Sequence, residues 1–327
     1  MGDDEGKVGD RRASFRVGPE HAGMRGDFFL ALMAPFLSRT RLKQKIQTGE
    51  SLLNGKRYGA ANRLRPGDEV ELTWRPGAAG EPAPELTVLY EDADLVAVDK
   101  PAGVAVHPTG RRQSGTVVHA MLDRYRGEIT RSLEHGDPTF YPGIVNRLDV
   151  YTSGVVLFGK RKTVTAEMHR RIGGGEVHKR YVALVRGVVE PEEGTIDLPI
   201  GKDPLARIRL KHAVREDGQR SVTRYQVLER LAGHTLLAAY PITGRQHQIR
   251  VHFAALGHPV WGDLLYEDEE LFLRYFRNGC RLDPSLPPRH CLHAELLELV
   301  HPSTGLPVRI ASPIPEDFLA IVETVRS

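Results

Sequence analysis

Short blocks of hydrophobic and polar positions follow one another along most of the chain and predict a mixed α+β protein. From Thr87 onward, apolar runs of strand length recur at irregular spacing: TVLY, LVAVDK, VVLFGK, KRYVALVRG, SVTRYQVLER, TLLAAYPIT and CLHAELLELV. Between them, helices are predicted around residues 117–124, 163–172 and 246–256. Long, irregular connections favour a mixed, largely antiparallel sheet with flanking helices over a regular βαβ alternation.

Composition divides the chain into four segments. Residues 1–13 are polar without periodicity, which predicts a disordered leader, and residues 14–75 predict a small α/β module. Residues 76–86 are rich in Pro, Gly and Ala, as is typical of a linker. The large domain is therefore expected to occupy residues 87–327.

The small module is predicted to contain two helices and a hairpin. A short helix, FFLALMA, is limited by Pro35, because proline interrupts helical hydrogen bonding. A second helix, RTRLKQKIQ, is capped by Ser38 and ended by Gly49, and it places Leu42 and Ile46 on one face. The Asn-Gly pair in SLLNGKRY then favours a tight hairpin turn.

Basic residues concentrate in the same module. Between residues 38 and 65, eight basic residues stand against Glu50 alone, a local net charge of +7, whereas the whole chain carries +3. This distribution predicts contact with a polyanion, and a solvated basic helix face is the competing explanation. The candidate contact residues are Arg39, Arg41, Lys43, Lys45, Lys56 and Arg57.

Other features narrow the class of protein. No run approaches the roughly 18 apolar residues of a membrane helix, and the N-terminus lacks the apolar core of a signal peptide. We therefore expect a cytoplasmic protein that has no membrane partner. The two cysteines, Cys280 and Cys291, are too few for a disulfide framework.

Two groups of histidines raise the question of a metal site. His247, His252 and His258 are five and six residues apart, which is not the spacing of ligands on one helix face. The second group lacks paired CxxC knuckles and consists of Cys280, His290, Cys291 and His293. We therefore predict no metal site.

A carboxylate interrupts the apolar pattern of GIVNRLDVYTSGVVLFGK, at residues 143–160. The apolar positions of residues 144–148 and of VVLF predict strand, turn, strand, with Asp149 at the turn. Loops anchored by rigid strands often carry chemistry, so Asp149 is a candidate nucleophile. On spacing alone, an aspartate that merely caps a turn is the competing interpretation.

The same residues resemble the HRLDxxTSG signature of the RluA/RluD-type RNA pseudouridine synthases, which convert uridine into its carbon-linked isomer. Asn146 stands where His is usual, and Val150 where a basic residue is frequent. Three further blocks resemble this family: LVAVDKPAGVAVHPT, VHKRYVALVRG and TGRQHQIRVH. SRTRLKQKI, LLNGK and PGDEVEL are similar to the S-four-like RNA-binding module, with Gly26 where Leu is normal.

The resemblance implies particular roles in the reaction. Asp149 is the implied catalytic residue, Arg250 its ion-pair partner and Tyr181 the surface on which the flipped base stacks. Arg147 is the implied residue that fills the space left by the extruded base. Because the reaction is an isomerisation, neither a metal nor a coenzyme is expected. Attack of Asp149 on the base, attack on the sugar and assistance to sugar deprotonation all remain compatible with these residues.

The expected partner is structured RNA. Relatives with an S-four-like module commonly act on large-subunit ribosomal RNA, so 23S ribosomal RNA or its precursor is favoured. A transfer RNA pseudouridine synthase and a non-catalytic RNA-binding or ribosome-assembly protein are the alternatives, the latter because of Asn146 and Val150. Lys100 and His107 are further candidate RNA-facing residues. No obligate protein partner is expected.

Overall fold

The computed structural model of the protein divides into two units. The first unit is Met1–Glu85 with Ala105–Pro142, and the second is Leu86–Val104 with Gly143–Ser327. The structure describes residues 11–34, 37, 39–74, 82–109, 114–134, 140–277 and 287–326.

Several predictions from the sequence fall outside the described residues. They concern the leader up to residue 10, the end of the first helix at Pro35, the helix cap Ser38, linker residues 76–81 and Cys280.

The first unit contains a three-stranded antiparallel sheet and two helices that share a core. The strands are β1 (Arg11–Arg16), β2 (Ser51–Leu53) and β3 (Glu69–Trp74), in the order β1-β3-β2. Helices α1 (Gly26–Met33) and α2 (Arg39–Thr48) match the predicted pair. Leu42 and Ile46 of α2 are buried against Val70 and Leu72 of β3, as their spacing predicts.

Two local features of this unit test the sequence analysis. The hairpin is confirmed: Asn54 and Gly55 both have positive φ, at 50° and 71°, and Leu53 pairs with Lys56. The predicted leader extends too far, because residues 11–13 lie in β1 and pair with β3. The alternation of RRASFR is short, but it lets Phe15 pack on the core.

The first unit also contains residues that the sequence analysis placed in the large domain. Residues 105–142 cluster with it and form α3 (Val117–Arg124) and α4 (Arg126–Glu134). Strand β6 (Phe140–Ile144) spans the boundary between the two units.

The second unit is built on one long sheet and a separate hairpin. The strands are β4 (Thr87–Glu91), β5 (Leu95–Lys100), β7 (Ser153–Arg161), β8 (His178–Arg186), β9 (Glu193–Asp197), β10 (Ile200–Lys202), β11 (His212–Val214), β12 (Val222–Leu231), β13 (His234–Pro241), β14 (Leu292–Val300) and β15 (Pro307–Ala311). The order in the long sheet is β4-β5-β7-β14-β8-β13-β12-β9, and β15 pairs with β14. Of these pairs, β14 with β7 is parallel and the others are antiparallel, which confirms the predicted fold class. The hairpin joins β10 to β11.

Five helices of the second unit are described. The helices are α5 (Lys162–Gly173), α6 (Gln248–Ala255), α7 (Leu264–Glu267), α8 (Glu269–Arg277) and α9 (Glu316–Thr324). The sequence pattern predicted α5 and α6, whereas α7, α8 and α9 were not predicted. Within the described part of the chain, no helix has both the length and the apolar character to cross a membrane.

Strand β8 lies between two of these helices. Ala183 and Val185 point to the core that contains Phe253 of α6. The alternate residues Val182 and Leu184 share a different core with α9. Because both faces of β8 are buried, the strand is a rigid support for the residues at its start.

Candidate active site

Asp149 lies in the loop between β6 and β7, and the loop is fastened to β7 by a side chain. The predicted strand over residues 144–148 is wrong, since β6 ends at Ile144. Beyond the end of β6, the Asn146 side chain bonds to the backbone of β7 in place of a strand. Its Nδ2 donates to Val155 O (3.0 Å), and its Oδ1 accepts from Leu157 N (2.7 Å). Asn146, which replaces the usual His, therefore holds the loop in place.

Lys100 holds the residue that follows Asp149. Its side chain is fully buried, and Nζ donates to the carbonyls of Pro101 (2.9 Å), Val104 (2.8 Å) and Val150 (2.9 Å). Three carbonyl dipoles compensate the buried ammonium in part. The expectation that Lys100 faces RNA is therefore wrong, because no part of this side chain is presented to a ligand.

The two hydroxyls after Asp149 are bound by the segment that leads into β14. Thr152 Oγ1 lies 2.8 Å from His290 Nε2, and Ser153 Oγ lies 2.9 Å from His293 Nδ1. Arg289 also donates to Ser153 Oγ at 2.9 Å. The histidines considered as zinc ligands thus contact hydroxyl groups. Among the described residues, no group of three His, Cys, Asp or Glu side chains has the geometry of a metal site.

Gly154 allows the parallel approach of β7 to β14. Its φ is +113°, and a Cβ there would lie 2.2 Å from Ala294 O. Only glycine fits this contact without a backbone shift. The glycine of the TSG triplet is thus required by packing.

Arg250 of α6 joins Asp149 to a second carboxylate. Its NH1 donates to Asp149 Oδ2 at 2.6 Å, while Nε and NH2 donate to Asp263 Oδ2 (2.5 Å) and Oδ1 (2.7 Å). Arg250 is buried, but the Asp149 side chain remains 28% exposed. The predicted proximity of Asp149 and Arg250 is confirmed, and the Asp149 carboxylate is accessible to a ligand.

The ionisation of Asp149 follows from this arrangement. Burial by itself raises the pKa of the carboxyl group, but the Arg250 guanidinium, together with the nearby His247 and His290 rings, lowers it to about 2. Asp149 is therefore ionised throughout the physiological pH range.

Tyr181 lies at the start of the buried part of β8 and packs on the core under α6. Burial, assisted by the charge of Asp149, raises the pKa of its phenol. The hydroxyl therefore remains protonated and is not a general base at neutral pH. This agrees with a stacking or hydrogen-bonding role, which stays a prediction.

Three further residues complete the site without having been assigned a role from the sequence. They are Asp263, which orients Arg250, and the pair His247 and Tyr266. The Tyr266 ring lies 5.0 Å from Arg250 Cζ, and its hydroxyl lies 2.8 Å from His247 Nδ1. His247 lies in the TGRQHQIRVH block that resembles the family, whereas Asp263 and Tyr266 follow this block among mostly apolar residues and carry no motif of their own.

The other candidate RNA-contacting residues differ in exposure. Arg147, two residues before Asp149, is exposed. In the first unit, Arg41, Lys43, Lys56 and Arg57 are exposed as well. The side chain of Arg39 lies outside the described residues, and His107 is half-buried.

Lys45 is the exception among the basic residues of α2. Its side chain is only 15% exposed; Nζ pairs with Glu50 at 2.8 Å and donates to Thr73 O at 3.0 Å. The residue therefore connects α2 to β3, and its predicted contact with RNA has little support from its exposure.

The fold holds an ionised, accessible aspartate against a buried arginine that binds it. Comparison with known proteins gives the family. The family model described as RNA pseudouridylate synthase matches residues 94–255. A ribosomal large subunit pseudouridine synthase D of Xanthomonas campestris is 37% identical over 311 residues, with 93% of this chain and 90% of the relative covered. An uncharacterised RNA pseudouridine synthase of Mycobacterium bovis is 39% identical over 311 residues, with 93% and 95% covered.

A solved structure supports the fold. Human RNA pseudouridylate synthase domain containing 4 aligns with a TM-score of 0.53 at 24% identity, covering 73% of this chain and 92% of the human chain. The chain belongs to the RNA pseudouridylate synthase family, and its enzymatic class is that of an RNA pseudouridine synthase. The resemblance to the RluA/RluD type is thereby confirmed.

Proposed function

We propose that this enzyme isomerises uridine to pseudouridine in large-subunit ribosomal RNA and that Asp149 is its catalytic carboxylate. The observation that carries the proposal is the Asp149 side chain itself, which is accessible yet bound at 2.6 Å by the buried Arg250. A carboxylate so placed keeps its charge when bound RNA excludes water from the site.

The reaction needs one reactive electron pair. The bond between the sugar and the ring nitrogen breaks, the base turns, and a new bond forms between the sugar and C5. C5 loses its proton to the solvent and the freed ring nitrogen takes one up, so the composition of the base is unchanged. An ionised carboxylate supplies the electron pair that nucleophilic addition or sugar deprotonation requires. Arg250 preserves this charge, and the protonated Tyr181 offers its ring to the base.

Access to the glycosidic bond requires that the target nucleotide leave its stack, at a cost of a few kcal/mol. Arg147 is exposed on the loop that carries Asp149. Its planar guanidinium stacks on bases and binds phosphate. We assign it the role of occupying the space that the flipped nucleotide leaves.

Two observations support ribosomal RNA as the substrate. Relatives named ribosomal large subunit pseudouridine synthase D align over nearly the whole chain. The first unit presents exposed basic residues that suit phosphate contacts, in a segment similar to the S-four-like module. Transfer RNA is the competing substrate.

The test is release of tritium from RNA labelled with 5-tritiated uridine. Purified protein is incubated with a large-subunit ribosomal RNA transcript and, separately, with bulk transfer RNA transcripts. We expect tritium release from the ribosomal transcript. Pseudouridine mapping of ribosomal RNA from cells that lack the gene should then show the same uridines unmodified. Tritium release from transfer RNA alone would identify transfer RNA, and not ribosomal RNA, as the substrate. Tight binding of both RNAs without tritium release would indicate a non-catalytic RNA-binding protein.

Binding through the first unit predicts a salt dependence. Replacing Lys56 and Arg57 by Ala removes two exposed charges and should reduce the slope of log affinity against log salt by about 2, because each phosphate contact releases counterions. Filter binding of the ribosomal transcript at several salt concentrations measures this slope. Arg309→Ala, which removes an exposed arginine paired with Glu298, is the matched control. An unchanged slope in the double variant would exclude these residues from the interface.

A further inference from the structure

His247 faces the oxygen of Asp149 that Arg250 leaves open. Arg250 binds Oδ2, whereas His247 Nε2 lies 3.7 Å from Oδ1. On its other side, the ring is bound through Nδ1 to the Tyr266 hydroxyl at 2.8 Å. The imidazole therefore bridges a tyrosine and the proposed catalytic carboxylate.

The hydrogen bonds of Tyr266 favour one position for the proton of the His247 ring. The Tyr266 oxygen accepts the backbone N–H of His212 at 3.2 Å. Burial raises the pKa of the Tyr266 phenol, so the hydroxyl keeps its proton and is able to donate a hydrogen bond to Nδ1. A neutral imidazole that accepts at Nδ1 carries its hydrogen on Nε2. That N–H is directed at Asp149.

The surroundings keep the ring neutral. Burial, followed by the charge of Arg250, lowers the pKa of His247 to about 4, although Asp149 opposes this shift. At neutral pH the ring is therefore a hydrogen-bond donor without charge. The charged and titratable groups that act on it are Asp149, Arg250, His212, Tyr266 and His290.

The backbone at His247 is held in a conformation that non-glycine residues rarely adopt. Its φ is 57°, in the left-handed region that is strained for residues other than glycine. The next side chain, Gln248, stabilises it: Oε1 accepts from Thr243 Oγ1 and Arg245 N, and Nε2 donates to Val222 O and Thr223 Oγ1. This bonded loop aims the imidazole at the carboxylate.

We propose that His247, in the neutral Nε2–H tautomer selected by Tyr266, is a positioning residue that holds the second oxygen of the Asp149 carboxylate. The 3.7 Å separation is longer than a hydrogen bond, and it shortens when bound RNA excludes water from the site. With Arg250 on Oδ2 and His247 on Oδ1, the plane of the carboxylate is fixed. This inference rests on the proposed catalytic role of Asp149.

Variants of His247 and Tyr266 separate positioning from general packing. His247→Asn tolerates positive φ, but its amide is too short to reach Asp149; His247→Gln places a donor near the original Nε2. We expect His247→Asn to lower the single-turnover rate of tritium release on the order of 10- to 100-fold, as for loss of a hydrogen bond to a charged group, with unchanged RNA affinity. His247→Gln should have a single-turnover rate close to that of the wild type. Tyr266→Phe removes the hydroxyl that selects the tautomer of His247, and its rate should lie between those of the wild type and His247→Asn.

Nitrogen NMR of histidine-labelled protein reports the tautomer directly in the free enzyme. The signal of His247 is identified among the 14 histidines by its absence from the His247→Asn spectrum. We expect a protonated Nε2 and an unprotonated Nδ1 in the wild type, and a mixture of tautomers in Tyr266→Phe. A proton on Nδ1 in the wild type would overturn the inference.

Failure of the inference and failure of the proposed function give different results. His258→Asn is the control, because His258 binds Arg186 O outside the site, and it should react at the wild-type rate. Wild-type protein that releases no tritium contradicts the proposed function, while the NMR result still decides the tautomer. An active wild type with His247→Asn equally fast, or with His247→Gln as slow as His247→Asn, overturns the positioning role.

Discussion

Asp149→Asn is expected to abolish tritium release while it leaves folding and RNA affinity intact. The amide has the shape of the carboxylate and still accepts the hydrogen bond from Arg250 NH1, so the loop keeps its contacts. It carries no charge and supplies no reactive electron pair, and we expect the single-turnover rate to fall roughly 10³-fold or more. Arg250 keeps its bidentate partner Asp263, which limits the cost of the substitution to stability.

The control for this experiment is another aspartate paired with an arginine. Asp217→Asn removes an exposed carboxylate that binds Arg215, and it should leave the rate unchanged. Filter binding and a thermal unfolding curve establish that the Asp149 variant is folded and binds RNA. A folded, RNA-binding Asp149→Asn protein that reacts at the wild-type rate would remove Asp149 from the mechanism.

The elements and the core were largely predictable because they depend on local patterns. The four-residue spacing of Leu42 and Ile46 identified the buried face of α2, and alternating or continuous apolar runs identified the central strands. Strand β1 was missed because its alternation is short and begins in a polar segment. Its burial depends on a pairing with β3 that runs from Arg11 opposite Trp74 to Arg16 opposite Glu69, and no local pattern contains so distant a pairing.

The active site was predictable only in part, for a related reason. Asp149 and Arg250 were matched by family resemblance. The approach of His247 to Asp149, and of Asp263 and Tyr266 to Arg250, depends on how α6 and α7 pack. For Lys100, the sequence analysis assigned a contact with RNA to a side chain that is buried. A lysine in a loop rich in Gly and Pro is usually exposed, and its burial here depends on carbonyl groups from two loops that come together only in the fold.

Arg250→Met is expected to produce the largest loss of stability of any single substitution in the site. Methionine fills much of the volume, but Asp149 and Asp263 then face each other without the cation that binds both. Removal of one partner from a buried ion pair costs about 3–5 kcal/mol in the free energy of unfolding. Denaturant unfolding measures this loss. Arg309→Met, at an exposed pair, should stay within about 0.5 kcal/mol of the wild type.

The pH dependence of this loss identifies its electrostatic origin. In the wild type, Asp149 has a folded pKa of about 2, below its ordinary value, so it contributes stability above about pH 4 that is lost as the pH falls toward 2. In Arg250→Met, the largest contribution that opposes burial is removed, and we expect burial to raise the folded pKa above the unfolded one. The dependence of the unfolding free energy on pH then has the opposite sign. The folded variant binds more protons than the unfolded variant, so it gains stability as the pH falls from 7 through the raised pKa. The difference in unfolding free energy between the two proteins should therefore narrow on acidification. If the difference in unfolding free energy stays constant from pH 7 to pH 5, the loss of stability comes from packing, because a cavity or a poorly fitting methionine does not titrate.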